Sequence, residues 1–271
     1  KAGVNAKKVS KKPLVVHVHA TEFDRCASDN INQEVYSIER MGMHEADKII
    51  AVSNFTKNQI VSHYGIDPNK VQVVHNAVEV KSCSPGGDER TTRTDKIVLF
   101  LGRLTIQKGP EHFLLAAKRV LEKVPNAKFV VAGSGDMERY MIEKASQMGI
   151  AGSVRFPRFP RRAEIEKTYR MADVYVMPSI SEPFGITPLE AMMQGTPTII
   201  SKQSGVSEVV SNCLKVDFWD IDEMSNKIIS ILNYSSLSDT LRENAGQEVQ
   251  KFSWNVPAQK CISVYNSVVN R

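Results

Sequence analysis

Apolar positions along the chain follow two alternating periods. Residues 14–19 (Leu-Val-Val-His-Val-His) form a β-branched run that predicts a parallel strand. Residues 21–30 are polar and predict a loop. Over 31–46, apolar residues recur at Val35, Ile38, Met41 and Met43, which predicts a helix. Residues 48–52 predict a strand, 54–64 a helix closed by Gly65, and 71–74 another strand. This order is that of a parallel sheet with helices on its faces.

The alternation breaks over residues 81–94, where Pro, Gly, Ser, Thr and charges follow no period and predict a linker. A second series follows. Strands are expected at 97–101, 127–132, 154–156, 173–177 and 198–201. Helices are expected at 110–123 (opened by Pro110), 136–148, 162–172, from Thr187 to near Gly195, and at 222–233, 237–252 and 254–269. The expected fold class is α/β, with two Rossmann-like domains facing a cleft, a common place for ligands. The first series holds three strands, whereas a doubly wound domain usually has about six. The first domain is therefore expected to be incomplete in this chain.

The stretch with the clearest chemistry is Pro178-Ser-Ile-Ser-Glu182-Pro-Phe-Gly185-Ile-Thr187-Pro-Leu-Glu190-Ala-Met192. It leaves a predicted buried strand and enters a helix. One carboxylate stands in the loop and another in the first helical turn. Free N–H groups and the positive end of the dipole lie at such a turn, and Gly185 lets a ligand approach the backbone. A diphosphate fits there, with Glu182 and Glu190 facing hydroxyls on either side. Glu190 has a second reading. Thr187-Pro188-Leu189-Glu190 has the form of a capping box, in which Glu190 only secures its own helix.

Two glutamates with seven residues between them, enclosing Pro-Phe-Gly, resemble the signature of retaining GT-B glycosyltransferases of the family 4 type (glycosyl transferases group 1). The resemblance extends over nearly the whole chain. It implies that Glu182 contacts the donor sugar and Glu190 the ribose. Phe184, Gly185 and Ile186, with Thr187 in the same turn, then bind the phosphates. It also implies that residues 1–80 belong to an acceptor-side domain joined by the helix 254–271. Residues 81–94 are then the linker, and 95–253 the nucleotide-sugar-binding domain.

Gly102-Arg103-Leu-Thr-Ile-Gln-Lys108-Gly109 leaves the first strand of the second series. By side-chain mechanics, Arg103 and Lys108 are either solvated loop charges or a clamp for a departing diphosphate. The family's phosphate binders match them here. Gly133-Ser134-Gly135 is a weak G-x-G turn near the nucleotide, with Glu138 where a third glycine would complete a dinucleotide fingerprint. Arg158 and Phe159 fall where the family binds the base. Alternation puts His17 and His19 on one face, with His19 at the strand's C-terminal end. The family has a histidine near the donor sugar there, and the other reading is a hydrogen-bonded strand-end side chain. Residues 21–25 follow as an acceptor-side segment. His75-Asn-Ala77-Val-Glu79 resembles a hinge, departing from the family pattern at Ala77 and Glu79. Ser204-Gly-Val-Ser-Glu208 resembles a Gly-Gly-x-x-Glu turn supporting the donor site.

The composition narrows the class. Of 271 residues, 42% are hydrophobic and 24% charged, which is ordinary for a globular chain. No apolar run approaches the roughly 18 residues that span a bilayer. Residues 1–12 are basic but lack the apolar core of a signal peptide. Four scattered cysteines read as reduced thiols, and the expected location is cytoplasmic. A net charge of +5 suits anionic ligands and peripheral contact with an anionic membrane, but is too small and dispersed for nucleic acid. No suitably placed metal motif and no G-x-S-x-G is present.

The expected activity is transfer of a sugar from a nucleoside diphosphate of the uridine or adenosine type to a hydroxyl acceptor on a glycan, glucan or lipid. Neither cofactor nor metal is expected, and retention of anomeric configuration is implied by the resemblance alone. The alternatives are a phosphorylase on the same fold and a nucleotide-sugar-binding protein without turnover.

Overall fold

The computed structural model describes residues 1–26, 30–79 and 93–269. The linker expected at 81–94 therefore lies outside the described residues, except for Arg93 and Thr94. The first part runs α1 (Ala2–Ser10), β1 (Val15–Val18), α2 (Glu22–Cys26), α3 (Gln33–Glu45), β2 (Lys48–Ala51), α4 (Asn54–Tyr64) and β3 (Val71–Val73). Its three strands form a parallel sheet in the order β1-β2-β3.

The second part runs β4 (Lys96–Leu101), α5 (Pro110–Leu121), β5 (Ala127–Ala132), α6 (Glu138–Gln147), β6 (Val154–Arg155), α7 (Arg162–Met171), β7 (Val174–Met177), α8 (Thr187–Met193), β8 (Thr198–Ser201) and β9 (Leu214–Val216). Helices α9 (Ile221–Asn233), α10 (Ser235–Val249) and α11 (Asn255–Val269) follow. The six-stranded sheet has the order β6-β5-β4-β7-β8-β9, all parallel.

That order positions the site. From β4 the chain winds one way to β5 and β6, then returns to β7 on the other side and winds outward. Between β4 and β7 the connections diverge, and a crevice opens beyond the carboxyl ends of both strands. The Gly102 loop leaves β4 there, and the Pro178 loop leaves β7.

Burial on both faces explains the near-continuous apolar strands. Every residue of β7 and β8 is buried. One face packs Val98, Phe100, Phe113 and Phe129, and the other Leu99, Leu101, Tyr175 and Leu189. Val264 of α11 packs with Ile50 of β2 and Val74.

Three elements depart from the expectations. Residues 2–10 form α1, tethered by Lys7, whose Nζ donates to the Glu45 carbonyl at 2.8 Å and pairs with Asp47 at 2.9 Å. Residues 22–26, expected as loop, form α2. The short β9, which pairs with β8, has too few residues for a period to register.

Among the described residues, Cys26, Cys213 and Cys261 are free thiols, and burial pushes the Cys213 thiol up to about 12. No helix among them is long and apolar enough to cross a membrane.

Gly109 joins the two crevice loops. Its φ is +64°, and a Cβ there would lie 2.1 Å from the Pro178 carbonyl oxygen. Gly109→Ala is expected to destabilise the protein by roughly 2 kcal/mol or more, from left-handed strain plus that clash. A lowered urea midpoint with unchanged slope would register it.

Candidate active site in the crevice beyond β4 and β7

Lys108 ends a single 3-10 turn, Ile106–Lys108. The turn is stitched to the neighbouring loop on both sides of Lys108. Ile180 N–H donates to the Gln107 carbonyl at 2.9 Å, and Gly109 lies against Pro178. This delivers the Lys108 ammonium to Glu182, whose Oε2 accepts from Nζ at 2.5 Å. Ser179 Oγ donates to the same oxygen at 3.3 Å.

Glu182 is 7% exposed and its main chain is fixed as well. Its N–H donates to the Gln203 carbonyl at 3.0 Å, and its own carbonyl accepts from Gly205 N–H at 2.9 Å. A buried carboxylate persists when paired and hydrogen-bonded, and both conditions hold here. Arg103, on the same β4 loop, is exposed, and its side chain has no hydrogen bond or ion pair among the described residues. Its guanidinium is therefore uncommitted.

Gly133 and Gly102 shape the base of this loop. A Cβ on Gly133 would fall 1.9 Å from the Gly102 carbonyl oxygen, and Leu104 N–H donates to the Ser134 carbonyl at 3.0 Å. The G-x-G turn thus acts by letting two backbones touch.

The capping box expected at Thr187 is absent. The N-cap is Ile186, with no side-chain cap bond. Thr187 already lies within α8, and its Oγ1 accepts from Tyr175 O–H at 2.8 Å. Glu190 stands in the first turn of α8, but its carboxylate turns sideways. Its Oε2 accepts from Tyr169 O–H at 3.0 Å. Tyr169 is fully buried; burial first, then Tyr175 and Glu190, push its hydroxyl well above the usual range, so it stays a donor.

Gly185 has φ +96°, a backbone region open to glycine, and Phe184 is buried with its ring 6.1 Å from that of His75. Glu190 and the exposed Ile186 line a cavity of 350 Å³ with Ile165, Tyr169, Val78 and Trp254.

Other expected site residues stand apart. Arg158 and Phe159 are exposed; the preceding Pro157 carbonyl accepts from Gly133 N–H at 3.2 Å, which ties their loop to the site. His19 is exposed at the end of β1 and packs on His17, ring centroids 4.3 Å apart. His17 is held below its ordinary value by burial and then by His19. No hydrogen bond or ring contact joins His19 to Lys108 or Glu182 among the described residues. In the segment 21–25, expected on the acceptor side, Thr21, Glu22 and Asp24 are buried and Arg25 is exposed. Asp24 Oδ1 accepts from Ser181 Oγ at 2.6 Å.

Sequence reasoning also missed what Glu208 does. Its carboxylate accepts from Asn54 N–H at 2.9 Å and Phe55 N–H at 2.6 Å, capping α4, and meets His75 Nε2 at 3.0 Å. Burial would raise its pKa, but the His75 and backbone bonds outweigh burial and hold it below the usual range. Its stabilisation is therefore present above the ordinary glutamate pKa and lost as pH falls through the lower folded value. Glu208→Gln is expected to cost about 1–3 kcal/mol at pH 7. The difference from wild type should narrow as pH falls below the ordinary glutamate range, as followed by urea unfolding across pH.

Among the described residues, no group of three or more His, Cys, Asp or Glu is placed to hold a metal ion.

Comparison with known proteins adds to this geometry. The family described as glycosyl transferases group 1 matches residues 88–248, and that described as glycosyltransferase family 4 matches residues 1–82. An uncharacterized glycosyltransferase of Methanocaldococcus jannaschii is 32% identical over 97% of this chain and 71% of its own length. A D-inositol 3-phosphate glycosyltransferase of Corynebacterium glutamicum is 29% identical over 89% of this chain, which spans 62% of that protein. The structure of Anabaena HepE, in complex with UDP and glucose, superposes with a TM-score of 0.84 at 21% identity, covering 98% of this chain and 74% of HepE.

Proposed function

Because the chain belongs to the glycosyl transferases group 1 family and has the GT-B fold, we propose that it transfers a sugar from a nucleoside diphosphate donor to a hydroxyl acceptor, with retention at the anomeric carbon. The observation that carries this reading is the Lys108–Glu182 pair in the crevice beyond β4 and β7, with the exposed Arg103 on the same β4 loop. A cation paired with a carboxylate, and a second cation on the same loop, suit a ligand with an anionic diphosphate at one end and sugar hydroxyls at the other.

In this reading Arg103 grips the diphosphate bidentately, and Lys108 turns its remaining donors to the bridging and terminal oxygens. As the glycosidic bond lengthens, negative charge builds on the departing nucleotide. Both cations stabilise that charge without reorganising. Glu182, already oriented by Lys108 and Ser179, accepts from the donor sugar's hydroxyls. Glu190, oriented by Tyr169, accepts from the ribose. His19 and the β1 edge face the acceptor, and closure of the two halves excludes water.

A uridine-type donor is proposed because HepE was solved with UDP. The acceptor class is a hydroxyl of a glycan, glucan or lipid.

The test is incubation with UDP-glucose and a panel of polyol, oligosaccharide and lipid acceptors. UDP release with an α-configured product, read by NMR of the anomeric proton, is expected. Glucose 1-phosphate formed from orthophosphate would point instead to a phosphorylase. Saturable binding without turnover would point to a binding protein.

A further inference from the structure

Glu182 lies between two residues that are each bonded to the other half of the molecule. On one side, Ser181 Oγ donates to Asp24 Oδ1 at 2.6 Å. On the other, the Pro183 carbonyl accepts from Ser53 Oγ at 2.5 Å and from Thr56 Oγ1 at 3.3 Å. Asp24, Ser53 and Thr56 are fully buried. Helix α2, which carries Asp24, also packs on the 106–108 turn that carries Lys108. One short helix beside the three-stranded sheet thus backs both members of the Lys108–Glu182 pair.

Asp24 is a costly choice for a structural position. It is a buried carboxylate with no ion pair among the described residues. Its Oδ2 accepts from Thr21 N–H at 2.7 Å and Thr21 O–H at 3.0 Å, which closes the start of α2. At this third helical position a neutral side chain such as glutamine would accept from Thr21 N–H at less desolvation cost. The carboxylate adds a second acceptor at its far end. That end holds the Ser181 hydroxyl, and with it the main chain leading into Glu182.

We propose that Asp24 is a positioning residue: through Ser181 it sets the placement of Glu182 against Lys108, so that the sugar-side carboxylate is held in place by contact between the two halves. The functional part rests on the donor-site reading above; the tether itself does not.

The test uses the full chain as wild type, Asp24→Ala, Asp24→Asn, Ser181→Ala and the Asp24→Ala/Ser181→Ala double variant. Three quantities are read: backbone hydrogen exchange over residues 179–185, affinity for UDP, and the rate of UDP release from UDP-glucose. Asp24→Ala and Ser181→Ala are each expected to speed exchange in that segment about tenfold. Each should slow UDP release about 10- to 100-fold, because the loop is displaced rather than a ligand contact removed. Affinity for UDP should stay within about twofold of wild type. The double variant should be no worse than Asp24→Ala alone, which already loses the Ser181 bond together with the two Thr21 bonds. Asp24→Asn should recover most of the rate, because its carbonyl can accept from Thr21 N–H while its amide donates to Ser181 Oγ.

Unchanged exchange over 179–185 in Ser181→Ala would overturn the proposal, even if Asp24→Ala failed to fold. A double-variant loss equal to the product of the single losses would also overturn it. If exchange responds as expected while the wild type releases no UDP, the tether stands and the donor reading is what fails.

Discussion

Replacing Lys108 by alanine is expected to lower turnover of the nucleotide-sugar donor about 10²- to 10³-fold, the cost of deleting one preorganised group from a site of developing charge. In the resting protein the ammonium holds Glu182 Oε2 at 2.5 Å, so it already points into the crevice. Its contribution to the departing diphosphate grows as the bond breaks. The loss should therefore fall mainly on kcat, with a smaller change in donor KM. A stability cost is expected too, because among the described residues Glu182 is left buried with Ser179 Oγ as its remaining side-chain partner. Lys108→Arg keeps the charge but not the reach of a point ammonium, and should recover stability better than rate. Steady-state kinetics of UDP release, paired with urea unfolding, separate the two effects. A Lys108→Ala enzyme with wild-type kcat would remove Lys108 from the chemistry.

Glu190→Ala is expected to weaken UDP binding by about one to two orders of magnitude, the worth of charge-assisted hydrogen bonds to the ribose. The structure sharpens this test. Glu190 does not close a capping box, so helix α8 does not need it. The buried Tyr169 hydroxyl does need an acceptor, and the Glu190 carboxylate supplies one at 3.0 Å. Alanine should therefore cost roughly 1–3 kcal/mol of stability through the orphaned tyrosine as well as affinity. Glu190→Gln leaves Tyr169 an acceptor and should lower affinity with little loss of stability. If Glu190→Gln bound UDP as wild type does, the ribose role would have to be abandoned.

The alternating sheet and the two crevice loops were legible because burial on both faces writes long apolar runs, and because the loops leave those runs at glycine and proline. The Glu182–Glu190 spacing was legible for the same reason: both lie within one strand–loop–helix unit. What escaped depends on partners far along the chain. Asp24 meets Ser181 across 157 residues, and Glu208 meets Asn54 across 154. A hydrophobic period reports which face is buried and says nothing of which polar group waits there. The capping box failed for a local reason. Tyr175, buried beneath the turn, takes the Thr187 hydroxyl, and the helix starts from Ile186 instead. Helix α1 carries only Val4 into a core, too little apolar signal to predict; the pairing of Lys7 with Asp47, far along the chain just before β2, holds it.

The central claim is that the crevice beyond β4 and β7 is a nucleoside diphosphate site. Calorimetric titration of the folded chain with uridine, adenosine and guanosine diphosphates, repeated on Arg103→Ala, tests it most directly. Saturable binding that prefers one base, with uridine diphosphate favoured, and that is weakened by loss of Arg103 is the predicted result. A folded chain that binds none of the three, or binds them equally well without Arg103, would contradict it.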